Sequence, residues 1–435
     1  MTDIRGPSIP PELICNTLDF VPRHNLPTLQ SCALVSWAWY HSSRRILFRH
    51  IALENSKESY EIWLERLKSS PRLAKSVTHI TLLGKPPGEL TWDTTSAFEL
   101  ARHLSHVRSI SVKSLHHQFH DGHRTFFEHL LGLRTLYLRD VSFEGAVQLF
   151  EKLGKVPGRL SSLSLQRVGG QAWPASFGAL FSDSGYVSSR ASPDTTLHDL
   201  TLSSSEMRVD VLSWLLGGSF NLSRLHSLVL SAASFHSDHN DTTYSNITLL
   251  LEELFKAVGA SLRTLTIGLH RERPGDNSHL AHITSNSMLK HLHSLEKLIV
   301  VSECAGVLRP AIGLAHATKL LQHIAPESLR EIVIALDLSI LDFRDLPRVR
   351  SLPEWTTLDK HINLATYNSF RRLFIIVDYN APGACTTMEK TIESVIREAL
   401  PKSNARNVLD IHVEHCHAPM RVKHRYLKWL AGDGQ

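Results

Sequence analysis

The sequence predicts an α/β repeat array, in which a parallel sheet gains one strand per unit and carries helices on its outer side. Three observations carry that expectation. A leucine-paced phrase recurs eleven times between Val77 and Val413. Each copy closes on an aliphatic-x-aliphatic step, the period-two alternation of a half-buried strand. Helix-like stretches separate most of the copies, which is what parallel strands need for their connections.

In chain order, a tail of residues 1–8 comes first and a helical segment of residues 9–51 follows. Pro10 and Pro11 supply the φ of a first helical turn and lack only N–H groups that such a turn cannot use. Glu12 complements the helix dipole there. Leu13, Ile14, Leu18 and Val21 then recur at helical spacing until Pro22. A second helix follows Pro27 with Leu29, Cys32, Ala33 and Val35 on one side, and a third runs from about Trp37 to Phe48. Three helices in about 43 residues bury too little area to stand alone. The apolar set Leu13, Ile14, Leu34, Val35, Trp37 and Trp39 is also more than one seam hides, which predicts an interface.

The array occupies residues 52–430 with no predicted boundary inside it, and residues 431–435 form a second tail. After a short strand at Ile51-Ala52-Leu53 and a helix from Tyr60 to Leu67, the full phrase reads leucine, two residues, leucine, two residues, aliphatic, one residue, aliphatic. It appears at Leu104-Val107-Ile110-Val112, Leu130-Leu133-Leu136-Leu138, Leu222-Leu225-Leu228-Leu230 and Leu292-Leu295-Leu298-Val300. Shortened copies close at Leu82, Leu165, Leu202, Ile267, Ile334, Ile375 and Val413. Helices are expected at Phe98–Leu104, Thr125–Leu131, Val147–Leu153, Val211–Leu216, Leu249–Val258, Leu314–Ile324 and Met388–Leu400. A strand and a helix per unit, stacked side by side, is a leucine-rich-repeat solenoid with a concave parallel sheet. The spacing runs from 26 residues (Ile110 to Leu136) to 41 (Ile332 to Leu373), so the array is irregular. Residues 169–193 and 270–279, rich in Gly, Ser and Pro, read as long loops.

Composition removes several classes of function. With 42% hydrophobic and 20% charged residues, the chain folds and is not disordered. Its net charge of +5 is spread along the chain without a phosphate-tracking run, so no nucleic-acid partner is expected. No apolar run reaches the ~18–20 residues of a membrane span. Cys15, Cys32, Cys304, Cys385 and Cys416 are odd in number and form no C-x-x-C pair, which predicts free thiols in the cytoplasm or nucleus. Asp3 and two early prolines argue against a signal peptide, so the sequons at Asn221, Asn240 and Asn246 are expected to stay unmodified.

Candidate chemistry is sparse. The histidine groups at 116–123, 236–239 and 412–417 lack the paired halves of a zinc site, and His415-Cys416-His417 lies past the last predicted strand. No phosphate loop, nucleophile elbow or kinase signature occurs. No catalytic residue, metal or cofactor is expected. What remains is a binding surface on the concave sheet, with Tyr137, Arg139, Phe374 and Ile376 as its candidate anchors for a protein substrate.

Residues 9–51 resemble the F-box. The matching positions are Ile9, Pro10, Glu12, Leu13, Ile14, Leu18, Leu26, Leu29, Cys32, Leu34, Val35, Ser36 and Trp39, closing with Leu47 and Phe48. Ile9 stands where a leucine is usual, and Pro27 falls where the motif's second helix has no constrained residue. The resemblance implies docking on a Skp-type adaptor through Ile9, Pro10, Glu12, Leu13, Ile14, Leu18, Leu34, Val35 and Trp39, and through it on a cullin and a RING subunit. The chain would then be the substrate-recognition subunit of a ubiquitin ligase. The alternative is a repeat scaffold that uses this segment to cap its own array.

Overall fold

The structure is a computed structural model that describes residues 9–21, 25–54, 56–84, 94–114, 129–143, 160–170, 195–203, 209–231, 241–269, 288–302, 309–338, 345–364, 367–379 and 386–415. Two compact units contain them: Met1–Leu160 with Val168–Ala172, and Ser161–Arg167 with Trp173–Gly434. The expected helix at 147–153, most of the one at 125–131, and nearly all of the two expected loops lie outside the described residues.

The first unit opens with α1 (Pro11–Asp19), α2 (Leu26–Ala33) and α3 (Trp37–Leu47). Asn25 caps α2 by accepting from the Thr28 N–H at 3.3 Å, and Ser36 caps α3 by accepting from the Trp39 N–H at 3.4 Å. Pro27 sits in the first turn of α2, where its missing N–H costs nothing. The three helices share a small core of Ile14, Leu18 and Leu29, against which Val21, Cys32, Trp39, Ile46 and Leu47 pack. Then follow β1 (His50–Glu54), α4 (Lys57–Ser69), α5 (Pro71–Ser76), β2 (His79–Leu83), α6 (Thr94–His103), β3 (Ser109–Lys113) and β4 (Thr135–Phe143). Lys68 on α4 donates to Glu99 on α6 at 2.8 Å, and this partner holds the Glu99 carboxyl below its ordinary range.

The second unit takes most of β5 (Ser162–Gly170), then β6 (Asp199–Ser203), α7 (Val209–Trp214) running on into a π turn at Leu215–Ser219, β7 (Ser227–Ser231), α8 (Asp241–Val258) and β8 (Thr264–Leu269). A 3-10 turn at Met288–His291 leads to β9 (Lys297–Ser302), α9 (Arg309–His323), β10 (Glu331–Asp337), α10 (Leu346–Arg350), α11 (Pro353–Ile362), β11 (Arg372–Tyr379), α12 (Thr386–Ala399), α13 (Pro401–Ala405) and β12 (Leu409–His415). All eleven leucine-paced phrases fall on strands, and the short strand expected at Ile51-Ala52-Leu53 is β1.

Neighbouring strands within each unit pair in parallel, and the register places the same motif position in line. In the first unit the row is Ile51, Ile80, Ile110, Leu136. In the second it is Leu163, Leu200, Leu228, Leu265, Leu298, Ile332, Leu373, Leu409. The leading leucines have a local reason for their spacing. The Leu133 N–H donates to the Leu130 carbonyl, and Leu225 to Leu222, in turns that fold both side chains inward just before the strand. All of these side chains are buried. At ~1.5–3 kcal/mol for each fully buried leucine-sized side chain, every member of the row adds to the stability of its unit.

One buried histidine gives this core a pH dependence. His316 on α9 sits away from water, and burial, helped by the Lys319 cation, pushes its imidazole down to about 4. In the unfolded chain an imidazole protonates near about 6.5. The unfolded state therefore takes up the proton first. Stability is full above about pH 6.5 and is lost as pH falls towards 4. Urea unfolding across that window should show a slope that His316→Leu flattens, and an unchanged slope would assign it to another group.

Candidate interaction surfaces

The first surface is on the opening helices. Among the described residues eleven large apolar side chains face water, and six of them lie in residues 9–37: Ile9, Leu13, Phe20, Leu34, Val35 and Trp37. Leu34 is 88% exposed, Trp37 74% and Leu13 55%. Ile9 and Leu13 sit at the start of α1, Phe20 at its end, and Leu34, Val35 and Trp37 where α2 passes into α3. Their surplus is not a failure to form a core, because Ile14, Leu18 and Leu29 are sealed beneath them.

The nine positions carried over from the F-box therefore divide in two. Ile9, Pro10, Glu12, Leu13, Leu34 and Val35 reach solvent, whereas Ile14 and Leu18 are interior and Trp39 packs against them half-buried. Trp37 takes the outer position instead and stacks on Tyr40 with ring centroids 5.3 Å apart. Helical spacing accounts for the exchange, since residues two apart on a helix lie ~200° round and cannot share a face.

The second surface is the sheet face away from the helices. In the first unit this face is polar. Ser111 and Tyr137 are in register, as are Lys113 and Arg139, and all four side chains are half-buried. Arg139 also reaches the carboxylate of its neighbour Asp140 at 3.4 Å, where Asp140 takes a left-handed φ of 55°. That conformation favours a short polar side chain.

In the second unit the same face changes character along the sheet. Ser164, Gln166, Ser203 and Thr266 are buried polar residues on β5, β6 and β8. On β9, β10 and β11 the face becomes a second apolar cluster, made of Ile299, Val301, Val333, Ala335 and Ile376 at 1–7% exposure with Phe374 packed against it. Ile376, expected to be an exposed anchor, is thus enclosed at 2% exposure. Phe374 remains half-buried at the margin, 4.9 Å below the Arg372 guanidinium and 6.4 Å from the exposed His412 ring.

The sequence carried a signal for this cluster that the L-x-L reading passed over. The core runs are Leu298-Ile299-Val300-Val301, Ile332 to Leu336, and Leu373 to Val377, each continuous where β3 alternates as Ser-Ile-Ser-Val-Lys. A strand covered on both faces reads as an unbroken apolar run.

No metal-ligating group of three and no helix long and apolar enough to cross a membrane occurs among the described residues. The histidine-rich groups at 116–123 and 236–239, together with Cys416 and His417, lie outside them.

No protein-family model matches this chain, and no curated protein matches it. The leucine-rich repeat-containing protein LegL7 from Legionella pneumophila is similar at 14% identity over 81% of this chain and 90% of that one, with a TM-score of 0.38. A chain of the Rad7 and Elc1 complex in yeast is similar at 12% identity over 93% and 98%, with a TM-score of 0.35. A chain of the TLR13-ssRNA13 complex is similar at 11% identity with a TM-score of 0.30, this chain covering 87% of its own length and 56% of that one's. The deciding observation is the ladder of leucines in parallel register. The fold is a leucine-rich-repeat solenoid. Its strands differ in what their free face carries, polar on β3 and β4 and apolar on β9 to β11.

Proposed function

We propose that this chain is a two-part protein adaptor, docking through residues 9–51 on a Skp-type subunit of a cullin-RING ubiquitin ligase while the repeats hold a protein target. The single observation that supports it most is the exposed apolar set Leu13, Leu34, Val35 and Trp37 above a helical core that is already complete. Patches of this kind on small helical modules serve as interfaces, and aromatic and aliphatic anchors carry most of the binding energy. The chain then needs no nucleophile of its own. Holding a target lysine near an activated thioester supplies effective concentration, which is catalysis by position. A cytoplasmic or nuclear location goes with this reading.

The test is titration of a purified Skp-type adaptor into the full chain. Leu34→Asp combined with Trp37→Ala should weaken binding at least about 100-fold, about 2.7 kcal/mol, with the far-ultraviolet circular dichroism unchanged. Ile14→Ala should instead lower helix content, because Ile14 belongs to the small core. An unaltered chain that does not bind the adaptor, or a double variant that binds as well as the parent, would leave only the scaffold alternative.

A further inference from the structure

We infer that the row of residues just before strands β6–β11 binds an extended, carboxylate-rich segment of a partner protein laid across the strand starts. The inference rests on the adaptor reading only in that the repeats hold a protein target. Successive members of the row are His198, His226, Arg263, Glu296, Arg330 and Arg371, and each directly follows a buried leucine or phenylalanine. Backbone pairing holds them in line. The His226 N–H donates to the His198 carbonyl, Arg263 to His226, Glu296 to Arg263, Arg330 to Glu296 and Arg371 to Arg330, all at 2.8–2.9 Å. Neighbours in the row are therefore one strand spacing apart, about 4.8 Å. The His198 and His226 rings, with centroids 5.5 Å apart, keep that alignment out to the side chains.

The row carries more positive charge than it answers. Glu296 is its one carboxylate and reaches both Arg263 and Arg330, the latter at 3.8 Å, so it offsets at most one of three guanidinium charges. Arg371 is exposed and meets no carboxylate among the described residues. Arg263 and Arg330 are more than half exposed, and a guanidinium has five donors, so both have donors to spare. The first residues of β9–β11 behave otherwise: Lys297 is matched by Glu331 and Arg372 by Asp410. The surplus therefore sits one residue before the strands. Guanidiniums in a fixed row suit carboxylates, which they hold through paired N–H groups. From β7 to β11 is four strand spacings, about 19 Å, which six residues of extended chain cover at ~3.3 Å each. A nucleic acid fits less well, because its phosphates recur without a break and the Glu296 carboxylate stands mid-row to repel one.

Fluorescence anisotropy on the full chain at low ionic strength tests this with no adaptor present, so failure of this surface and failure of adaptor docking are read separately. A dye-labelled peptide of alternating glutamate and glycine should bind, and its affinity should fall as salt rises. Arg330→Glu with Arg371→Glu should weaken it at least about tenfold, and Arg371→Gln alone about threefold. Arg348→Glu with Lys390→Glu, an equal change of net charge on the exposed surfaces of α10 and α12, should leave it within about twofold. Four results overturn the proposal: a parent that does not bind the peptide, a row variant that binds as the parent does, an α10–α12 variant that loses as much, or a single-stranded oligonucleotide of equal charge held more tightly than the peptide. Should the double row variant lose its circular dichroism, Arg371→Gln, which breaks no contact among the described residues, decides.

Discussion

Gly259→Ala should be among the most damaging single substitutions in the second unit, costing about 3 kcal/mol and lowering its melting temperature by roughly 6–12 °C. Gly259 follows α8 where that helix meets the 3-10 turn of the next repeat, and the Ser294 N–H donates to its carbonyl at 3.4 Å. A Cβ there would lie 2.0 Å from the His291 carbonyl oxygen and 2.9 Å from its carbon. Both are backbone atoms, so no side chain can swing aside. One repeat must move off the next. Two other glycines calibrate the claim: Gly132, with carbonyl oxygens of Val107 and Ser105 at 3.0 and 3.2 Å, should suffer less, and Gly217, with nothing within 4 Å, should tolerate alanine to within about 1 kcal/mol. Differential scanning calorimetry of the three variants checks the order. A Gly259→Ala protein that melts with the Gly217→Ala protein would refute the close approach.

Asp359→Ala should cost about 3 kcal/mol by a different route. Asp359 on α11 is buried, and its carboxylate accepts from the Lys402 N–H at 3.0 Å, the Ser403 N–H at 2.9 Å and the Ser403 hydroxyl at 2.6 Å. The residue before α13, Leu400, offers no side-chain cap, so a helix 40 residues away supplies it. Asn363 joins the network by donating to Asp359 and to Ser403. Alanine leaves two amides and a hydroxyl without their acceptor in a dry site, and orphaned buried donors cost ~1–3 kcal/mol each before relaxation. Asp359→Asn keeps one acceptor oxygen and should recover about half of the loss. Chemical denaturation followed at α13 by hydrogen exchange measures both. Equal stability of the Ala and Asn variants would mean that packing, not capping, holds the joint.

The strands were the most legible part of the chain. A period of two, anchored by leucines that a local turn brings together, specifies both a strand and the face it buries, and each of the eleven phrases became one. What the pattern could not supply was context. Phe374 and Ile376 of β11 were assigned to the correct face, yet the L-x-L rule treats that face as open, and only the unbroken runs of β9, β10 and β11 signalled a second enclosure. In the opening helices the elements and the apolar surplus were both readable. The division of labour between Trp37 and Trp39 was not, because it depends on how α3 lies against α1, and spacing along one helix does not set that. Asp359 had no signature at all: the amides and hydroxyl that it caps, those of Lys402 and Ser403, lie more than 40 residues along the chain.

The ladder of leucines has a consequence for how such a chain changes over generations. Alignment of one strand with the next is enforced by side chains at the strand itself, while the stretches joining strands already differ by more than a dozen residues. Mutations that lengthen or rewrite a connector therefore leave the alignment intact, whereas those at the paced leucines do not. Novelty in recognition is cheapest where the architecture asks for least, and the connectors should drift fastest.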